Sequence, residues 1–217
     1  MIINSIFNSI DGECNNWGQG TFSTFIRFAG CNFSIEGTPC SYCDTPDAQE
    51  KDAGQDMTYY EILKVVEKYG CKKITITGGE PLMQNDFRTL LSALVTRNYQ
   101  ISVETNGSFS ILNYFKWYKD LCWIVDYKLQ FPEKMVTEAF IFLTEKDFVK
   151  FVIADIIDLW NAVEVKKELV KQGCRARFFF SPLKGGIDVK TLIKTIQEHK
   201  LFDWSLNFQI HKFLKIA

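Results

Sequence analysis

Three cysteines share one short stretch of the chain. Cys31 ends the run Arg27-Phe-Ala-Gly-Cys31, and Cys40 and Cys43 stand in Pro39-Cys-Ser-Tyr-Cys-Asp-Thr45. Three thiolates on one loop can hold three irons of a [4Fe–4S] cluster and leave the fourth iron open. A cluster with four cysteine ligands normally serves electron transfer alone. An open iron is a chemical site, able to meet a substrate or cofactor directly. Zinc is the competing chemistry, because Cys-x-x-Cys is a common half-site. A structural zinc needs four ligands, and no second pair is present: Cys14 is the nearest further thiol, and the two histidines, His199 and His211, lie far along the chain. Seven cysteines also fit a disulfide framework poorly, since one is left over. Cys71, Cys122 and Cys174 read as small core residues at strand starts or flanks.

The elements that must position this loop alternate in type. Residues 21–28 are apolar and aromatic and read as a strand feeding the cysteines. Thr58-Tyr-Tyr-Glu61 is a capping box that opens a helix to about residue 69. Residues 73–77 form a β-branched strand that ends in Gly78-Gly79-Glu80-Pro81, and a helix is expected over 84–97. Strands follow at 101–104, 123–126, 148–153 and 177–180, with a short helical piece before 118. Asp155 and Asp188 can cap the last two helices, and 206–209 is an expected terminal edge strand. Strands alternating with helices imply a mostly parallel sheet with right-handed crossovers. The cysteines, Gly78-Gly79, Thr105-Asn106-Gly107, Asp126-Tyr127-Lys128 and Ser181-Pro182 all follow the C-terminal ends of these strands. That edge carries the active site in parallel α/β sheets and barrels. Each feature alone reads as a turn; five on one edge are hard to ascribe to packing.

Composition sets the remaining bounds. At 217 residues one domain, 1–217, is the default, and a hydrophobic fraction of 47% supplies its core. A formal net charge of −1 gives no basic field for nucleic acid. No uncharged stretch is long enough to span a bilayer. The opening Met1-Ile-Ile-Asn-Ser-Ile-Phe7 has neither a basic region nor a small-residue cleavage site, so a cytoplasmic protein is expected.

The cysteine loop followed by Gly78-Gly79-Glu80-Pro81 resembles the radical S-adenosylmethionine superfamily. Most members space the cysteines as Cys-x3-Cys-x2-Cys, whereas eight residues separate Cys31 from Cys40 here. Expanded first gaps occur in the 7-carboxy-7-deazaguanine synthases of the queuosine and deazapurine pathway, and the likeness to them spans nearly the full length. Ser9-Ile-Asp-Gly-Glu13 looks like that family's Gln-Gly-Glu-Gly opening. Phe25-Ile-Arg-Phe-Ala-Gly-Cys-Asn32, Cys43-Asp-Thr45, Thr77-Gly-Gly-Glu-Pro81, Glu104-Thr-Asn-Gly-Ser108 and Gln209-Ile-His-Lys212 all have counterparts. The chain departs from the pattern at Asp11 (often glutamine), Cys14 (a glycine), Pro46 (commonly acidic) and Asp126-Tyr127 (more usually Ser-Pro).

The resemblance implies a set of roles. Cys31, Cys40 and Cys43 would ligate the [4Fe–4S] cluster. Tyr42, Cys43, Asp44, Gly78, Gly79, Glu80, Ser108, Asp126, Tyr127, Lys128, Ser181, Pro182, Leu183 and Lys184 would form the S-adenosylmethionine site, with Glu80 shaping its turn. Ile10, Asp11, Gly12, Glu13, Arg27, Thr77, His211 and the terminal carboxylate of Ala217 would bind substrate. Thr45 would help hold Mg2+. The chemistry belongs to the cofactor, so no catalytic side chain is assigned. Arg27 can fork a carboxylate with two charge-assisted hydrogen bonds, against a default of a surface ion pair. Without the motif, Asp11 and Glu13 would read as solvated loop carboxylates, Thr45 as a loop cap and His211 as a structural histidine.

The implied reaction is the conversion of 6-carboxy-5,6,7,8-tetrahydropterin to 7-carboxy-7-deazaguanine with loss of ammonia, initiated by a 5′-deoxyadenosyl radical. A flavodoxin or ferredoxin would supply the electron. Two other readings are carried: another small radical S-adenosylmethionine enzyme such as a glycyl-radical activase, and a non-catalytic binding or electron-transfer module. The expected architecture is α/β, an incomplete (β/α) barrel of about six mostly parallel strands with a reduced set of helices. So few helices leave surface to cover, and a homodimer is expected.

Overall fold

A computed structural model of the protein describes residues 1–118 and 120–216. The chain opens on β1 (Ile2–Ile10), antiparallel to β2 (Phe22–Phe28). After the cysteine loop with its short α1 (Asn32–Ile35) come β3 (Gln55–Asp56), α2 (Tyr59–Tyr69), β4 (Lys73–Gly78), α3 (Phe87–Thr96) and β5 (Gln100–Thr105). Then follow α4 (Leu112–Phe115), β6 (Cys122–Asp126), β7 (Phe148–Ile153), α5 (Ile156–Lys171), β8 (Arg177–Pro182), α6 (Val189–Glu198), β9 (Ser205–Leu206) and α7 (Ile210–Leu214). The nine strands of the described residues form one sheet in the order β3-β1-β2-β4-β5-β6-β7-β8-β9. Every pairing from β2 to β9 is parallel. The fold is therefore α/β, an incomplete barrel whose six long parallel strands match the expected number.

Period-two alternation assigns the two faces of that sheet. Ile74, Ile76, Val103, Trp123, Val125, Val149, Phe151 and Phe180 point outward beneath the helices and are at most 1% exposed. They join Leu63 and Val66 of α2, Leu90 and Leu94 of α3 and Leu159 of α5 in one apolar core. Each such large side chain contributes about 1.5–3 kcal/mol through burial. The opposite face is polar and aromatic: Ser23 bonds Thr75 at 2.8 Å, and Ser102, Glu104, Asp126 and Lys150 alternate with the outward residues. That inner face encloses the site.

The helix starts follow their caps. The Thr58 side chain accepts from Glu61 N, and Glu61 Oε2 accepts from Thr58 N at 2.8 Å, the reciprocal box read from the sequence. Asp155 accepts from the amides of Ile157 and Asp158, and Asp188 from Thr191 N. The helix expected from residue 84 begins instead at Phe87, because Pro81–Met83 turns as a 3-10 helix held by Leu82 N donating to Glu80. The expected strand over 206–209 is shorter, Ser205–Leu206, and α7 follows it.

The loop of residues 11–21 closes the side that the sheet leaves open. At one end Asp11 accepts from Thr75 Oγ1 at 2.9 Å and pairs with Lys73 at 2.8 Å, both on β4. Farther on, Cys14 and Trp17 pack against Cys122, Ile124, Phe148 and Phe179 of β6, β7 and β8. Cys14 N donates to Asn207 Oδ1 at 2.8 Å, just past β9. Residues leaving the second element of the sheet thus reach across the concave face to its far edge. No helix among the described residues is long and apolar enough to cross a membrane.

Candidate active site

Six C-terminal strand ends and two loops converge on one cavity, with about 1400 Å³ of space including its open mouth. Cys31, Cys40 and Cys43 line one part of it, half-buried and unpaired. Burial pushes the thiols of Cys31 and Cys40 up. The nearby backbone amides of Ser34 and Phe33 at the start of α1 oppose the rise at Cys31, and the Lys128 charge does so at Cys40. Cys43 N closes the loop on Cys40 O at 3.1 Å. Cys14, the nearest further thiol, is held in the separate apolar cluster with Cys122, so the zinc reading gains no fourth ligand from it. No three His, Cys, Asp or Glu side chains among the described residues converge on a point that suits a single metal ion.

Gly78 and Gly79 follow β4 where two backbones touch. Gly78 has φ +129°, and a Cβ on it would fall 2.2 Å from Phe28 O; one on Gly79 would fall 2.0 Å from Gly30 O. Gly79 N and Glu80 N donate to Phe28 O and Gly30 O at 2.9 and 2.8 Å. The glycine turn is thereby stitched to the segment entering the cysteine loop. Glu80 lies behind the wall: its carboxylate accepts from Thr105 Oγ1, Asn106 N and Leu82 N, which ties the ends of β4 and β5 together. Burial pushes its pKa up to about 7.

Along the wall beyond the cysteines, Tyr42, Asp44, Asp126, Lys128, Ser181, Pro182, Leu183 and Lys184 reach the cavity. Burial pushes the Tyr42 hydroxyl up to about 12. Burial also pushes Asp126 up, but Lys128 at 2.8 Å and Lys150 at 3.2 Å outweigh it and hold the carboxyl low. Besides Glu80, two further members of the expected cofactor set stand off the cavity. Tyr127 packs its ring against Phe140 and Phe151 in the core, and Ser108 bonds Asn106 and Asn32 one step behind the wall.

The expected substrate set lies on the other part of the cavity: Ile10, Asp11, Gly12, Glu13, Arg27, Thr77 and His211. Ala217 lies outside the described residues. The Arg27 guanidinium sits 5.3 Å over the Phe7 ring, and its Nε is buried with no hydrogen-bond partner among the described residues. Glu13 pairs with Lys150 and accepts from Gln209 Nε2 at 2.6 Å. Asp11 is committed to Lys73, Thr75 and Glu13 N, so its carboxylate anchors the loop. Gly12 admits His211: a Cβ there would fall 2.1 Å from Nδ1. Burial pushes the His211 ring down. Thr45 lines the cavity with its hydroxyl 3.9 Å from Cys43 Sγ. Asp44 binds Gln209 and Lys212 at 2.9 and 2.7 Å, which outweigh its burial and hold its carboxyl far below the usual range.

Sequence reasoning assigned no role to several polar residues of this cavity, among them Glu104, Asn106 and Lys150. Asn106 and Glu104 fall in a strand-end motif whose Ser108 was singled out instead. Lys150 stands alone as a charge in the apolar strand Phe148–Ile153, a signal that was available. Thr77 Oγ1 donates to Glu104 at 2.6 Å. Burial and then the Glu13 charge push the Glu104 carboxyl up to about 8.

The donor set suits a [4Fe–4S] cluster with an open iron: three thiols face one cavity, a cation stands beside them, and the glycine turn brings bare backbone to the same wall. Comparison with known proteins agrees. The model of the radical SAM superfamily matches residues 25–130. The 7-carboxy-7-deazaguanine synthase of Clostridium acetobutylicum is 38% identical over 96% of this chain and 93% of its own. That of Methanospirillum hungatei is 33% identical over 99% of this chain and 85% of its own. The crystal structure of Streptococcus suis SuiB bound to S-adenosylmethionine is similar in fold, with a TM-score of 0.53 and 13% identity. It covers 84% of this chain, which spans about half of that longer one.

Proposed function

Since the chain belongs to the 7-carboxy-7-deazaguanine synthases of the radical SAM superfamily, we propose that its cavity converts 6-carboxy-5,6,7,8-tetrahydropterin to 7-carboxy-7-deazaguanine with loss of ammonia. The observation that carries this reading is the sharing of one cavity by the three thiols and by Arg27, Glu13 and His211. The glycyl-radical activase is not favoured, because the relatives that match along the full chain are synthases.

Cys31, Cys40 and Cys43 would hold a [4Fe–4S] cluster, which together with S-adenosylmethionine supplies one-electron radical chemistry when bound. The rest is the work of this chain. The backbone of Gly78 and Gly79 at the strand edge would meet the amino acid end of S-adenosylmethionine, and Ser181-Pro182-Leu183-Lys184 would line its other end. Arg27, whose Nε has no hydrogen-bond partner among the described residues, offers its guanidinium to the substrate carboxylate. Glu13, fixed by Lys150 and Gln209, accepts from the amino and ring N–H groups of the pterin. Glu104 keeps its carboxyl proton at neutral pH and presents a donor beside Thr77. Phe7, Phe25 and Phe33 help to dry the cavity, which protects a radical from side reactions.

Four further features belong to this reading. Residues 1–217 are one radical S-adenosylmethionine domain. Thr45 would contribute a hard oxygen to a Mg2+, an ion that suits hard oxygen ligands. A flavodoxin or ferredoxin would supply the electron at the half-buried cysteine loop, in a cytoplasm where thiols stay reduced. Exposed apolar side chains such as Trp117, Phe202 and Phe213 support a homodimer; a monomer mass by light scattering across micromolar concentrations would refute it.

The test is an anaerobic assay by mass spectrometry with reconstituted protein, S-adenosylmethionine, reductant, Mg2+ and 6-carboxytetrahydropterin. Multiple turnovers to 7-carboxy-7-deazaguanine are expected. Accumulation of 5′-deoxyadenosine alone would remove the substrate assignment.

A further inference from the structure

Lys150 is the cavity's central cation. It sits on β7 between Phe148 and Val152, and it is 8% exposed. Its ammonium pairs with Glu13 on one side and lies 3.2 Å from Asp126 Oδ1 on the other. The second oxygen of Asp126 is 2.8 Å from Lys128 Nζ. Glu13 belongs to the loop that lines the pterin end, whereas Asp126 and Lys128 leave β6 at the cofactor end. An ammonium taken out of water in mid-strand is costly unless well paired. Here the pairing spans the two halves of the site.

The charges determine what Lys150 does. Without it, Glu13 loses its cation and relies on the amides of Gln209 and Asn207. Asp126 would then draw on Lys128 alone, and that lysine would be less free to meet an anionic cofactor group. We propose that Lys150 is a positioning residue that couples the two ligand sites: it fixes Glu13 for the pterin and draws Asp126 away from Lys128, leaving Lys128 for S-adenosylmethionine. The proposal rests on the reading of the cavity given above and deepens it.

Binding without turnover tests it. Cluster-reconstituted protein, kept anaerobic and unreduced, is titrated calorimetrically with S-adenosylmethionine and, separately, with 6-carboxytetrahydropterin. Lys150→Met is expected to weaken the pterin by about tenfold or more and S-adenosylmethionine by several-fold, as truncation of one partner of a buried pair does. Lys150→Arg restores both to within about threefold, since it keeps the charge and the reach. Adding Asp126→Asn to Lys150→Met restores S-adenosylmethionine binding but not pterin binding, because only the competition for Lys128 has been removed. This double variant also carries one fewer unbalanced charge, so it and Lys150→Arg decide the matter if Lys150→Met does not fold. Affinities within twofold of wild type in Lys150→Met would overturn the proposal. So would a loss of both ligands that Asp126→Asn leaves unchanged. A wild-type protein that binds S-adenosylmethionine but not the pterin would sink the substrate reading instead, and the S-adenosylmethionine arm would then decide the role of Lys150.

Discussion

Arg27 has a buried donor with no partner among the described residues, and such a group is costly unless a ligand satisfies it. Arg27→Gln should therefore weaken pterin binding by roughly 1.5–3 kcal/mol, the range for hydrogen bonds to charged groups, while S-adenosylmethionine binding stays unchanged. Calorimetric Kd values for both ligands check this; equal losses would contradict it. Glu104 gives a pH signature. Burial first and Glu13 second raise its folded pKa from 4.5 to about 8, so the folded chain keeps a proton that the unfolded chain releases. Stability from this group is complete below about pH 4.5 and is lost as pH rises through 8. Glu80, raised to about 7, adds a slope of the same sign that ends earlier. Between pH 7 and 8.5, thermal melts of the wild type should fall more steeply than those of Glu104→Gln; parallel curves would rule out this role. The two carboxyls were unequally legible. Glu80 stands in a motif that announces a turn, and its burial was not readable. Glu104 is raised by burial and then by Glu13, which is distant in sequence, so neither cause could be read from the motif.

Among the elements, the turn after β4 shows how closely the loop and the sheet depend on one another. A methyl on Gly79 would meet the Gly30 carbonyl at 2.0 Å, with backbone on both sides, so neither can yield cheaply. Gly79→Ala should displace the segment entering Cys31 and lower the iron and sulfide content per chain after reconstitution, which elemental analysis and the cluster absorption band report. Full occupancy would show that the stitch is dispensable. The parallel strands were readable because outward Ile, Val and Phe alternate with polar inner residues, as in Lys73–Gly78. β1 was not. Its register shifts between Ile3 and Ser5, and the apolar residues at 2, 3, 6, 7 and 10 follow no period of two. α7 has five residues, too few for a helical period to be visible.

At the scale of the whole molecule, closure is achieved by side chains rather than by strand pairing. Asn207 is 1% exposed and joins the three parts that meet there: it accepts from Cys14 N, donates to Ser181 Oγ at 3.2 Å and reaches Glu13 at 3.4 Å. Asn207→Ala should cost about 1–3 kcal/mol by leaving the buried Cys14 amide unsatisfied. A denaturant midpoint shift at constant slope measures it, and no shift would mean that the loop stays closed by packing alone. The open sheet and its parallel order were foreseen from the alternation of elements; this bridge was not, because it joins a loop to a residue at the opposite end of the chain. The same bridge has a consequence for synthesis. Its hydrogen bonds link residues 193 and 196 positions apart, Cys14 to Asn207 and Glu13 to Gln209. Contacts of such separation form last, after the loop-closure entropy has been met. A nascent chain can pair its early strands while still on the ribosome, yet the loop after β1 has nothing to close upon until residues 207 and 209 have emerged. The thiol loop is thus translated long before its chamber is complete, which leaves an interval in which a cluster can be delivered to a more open site.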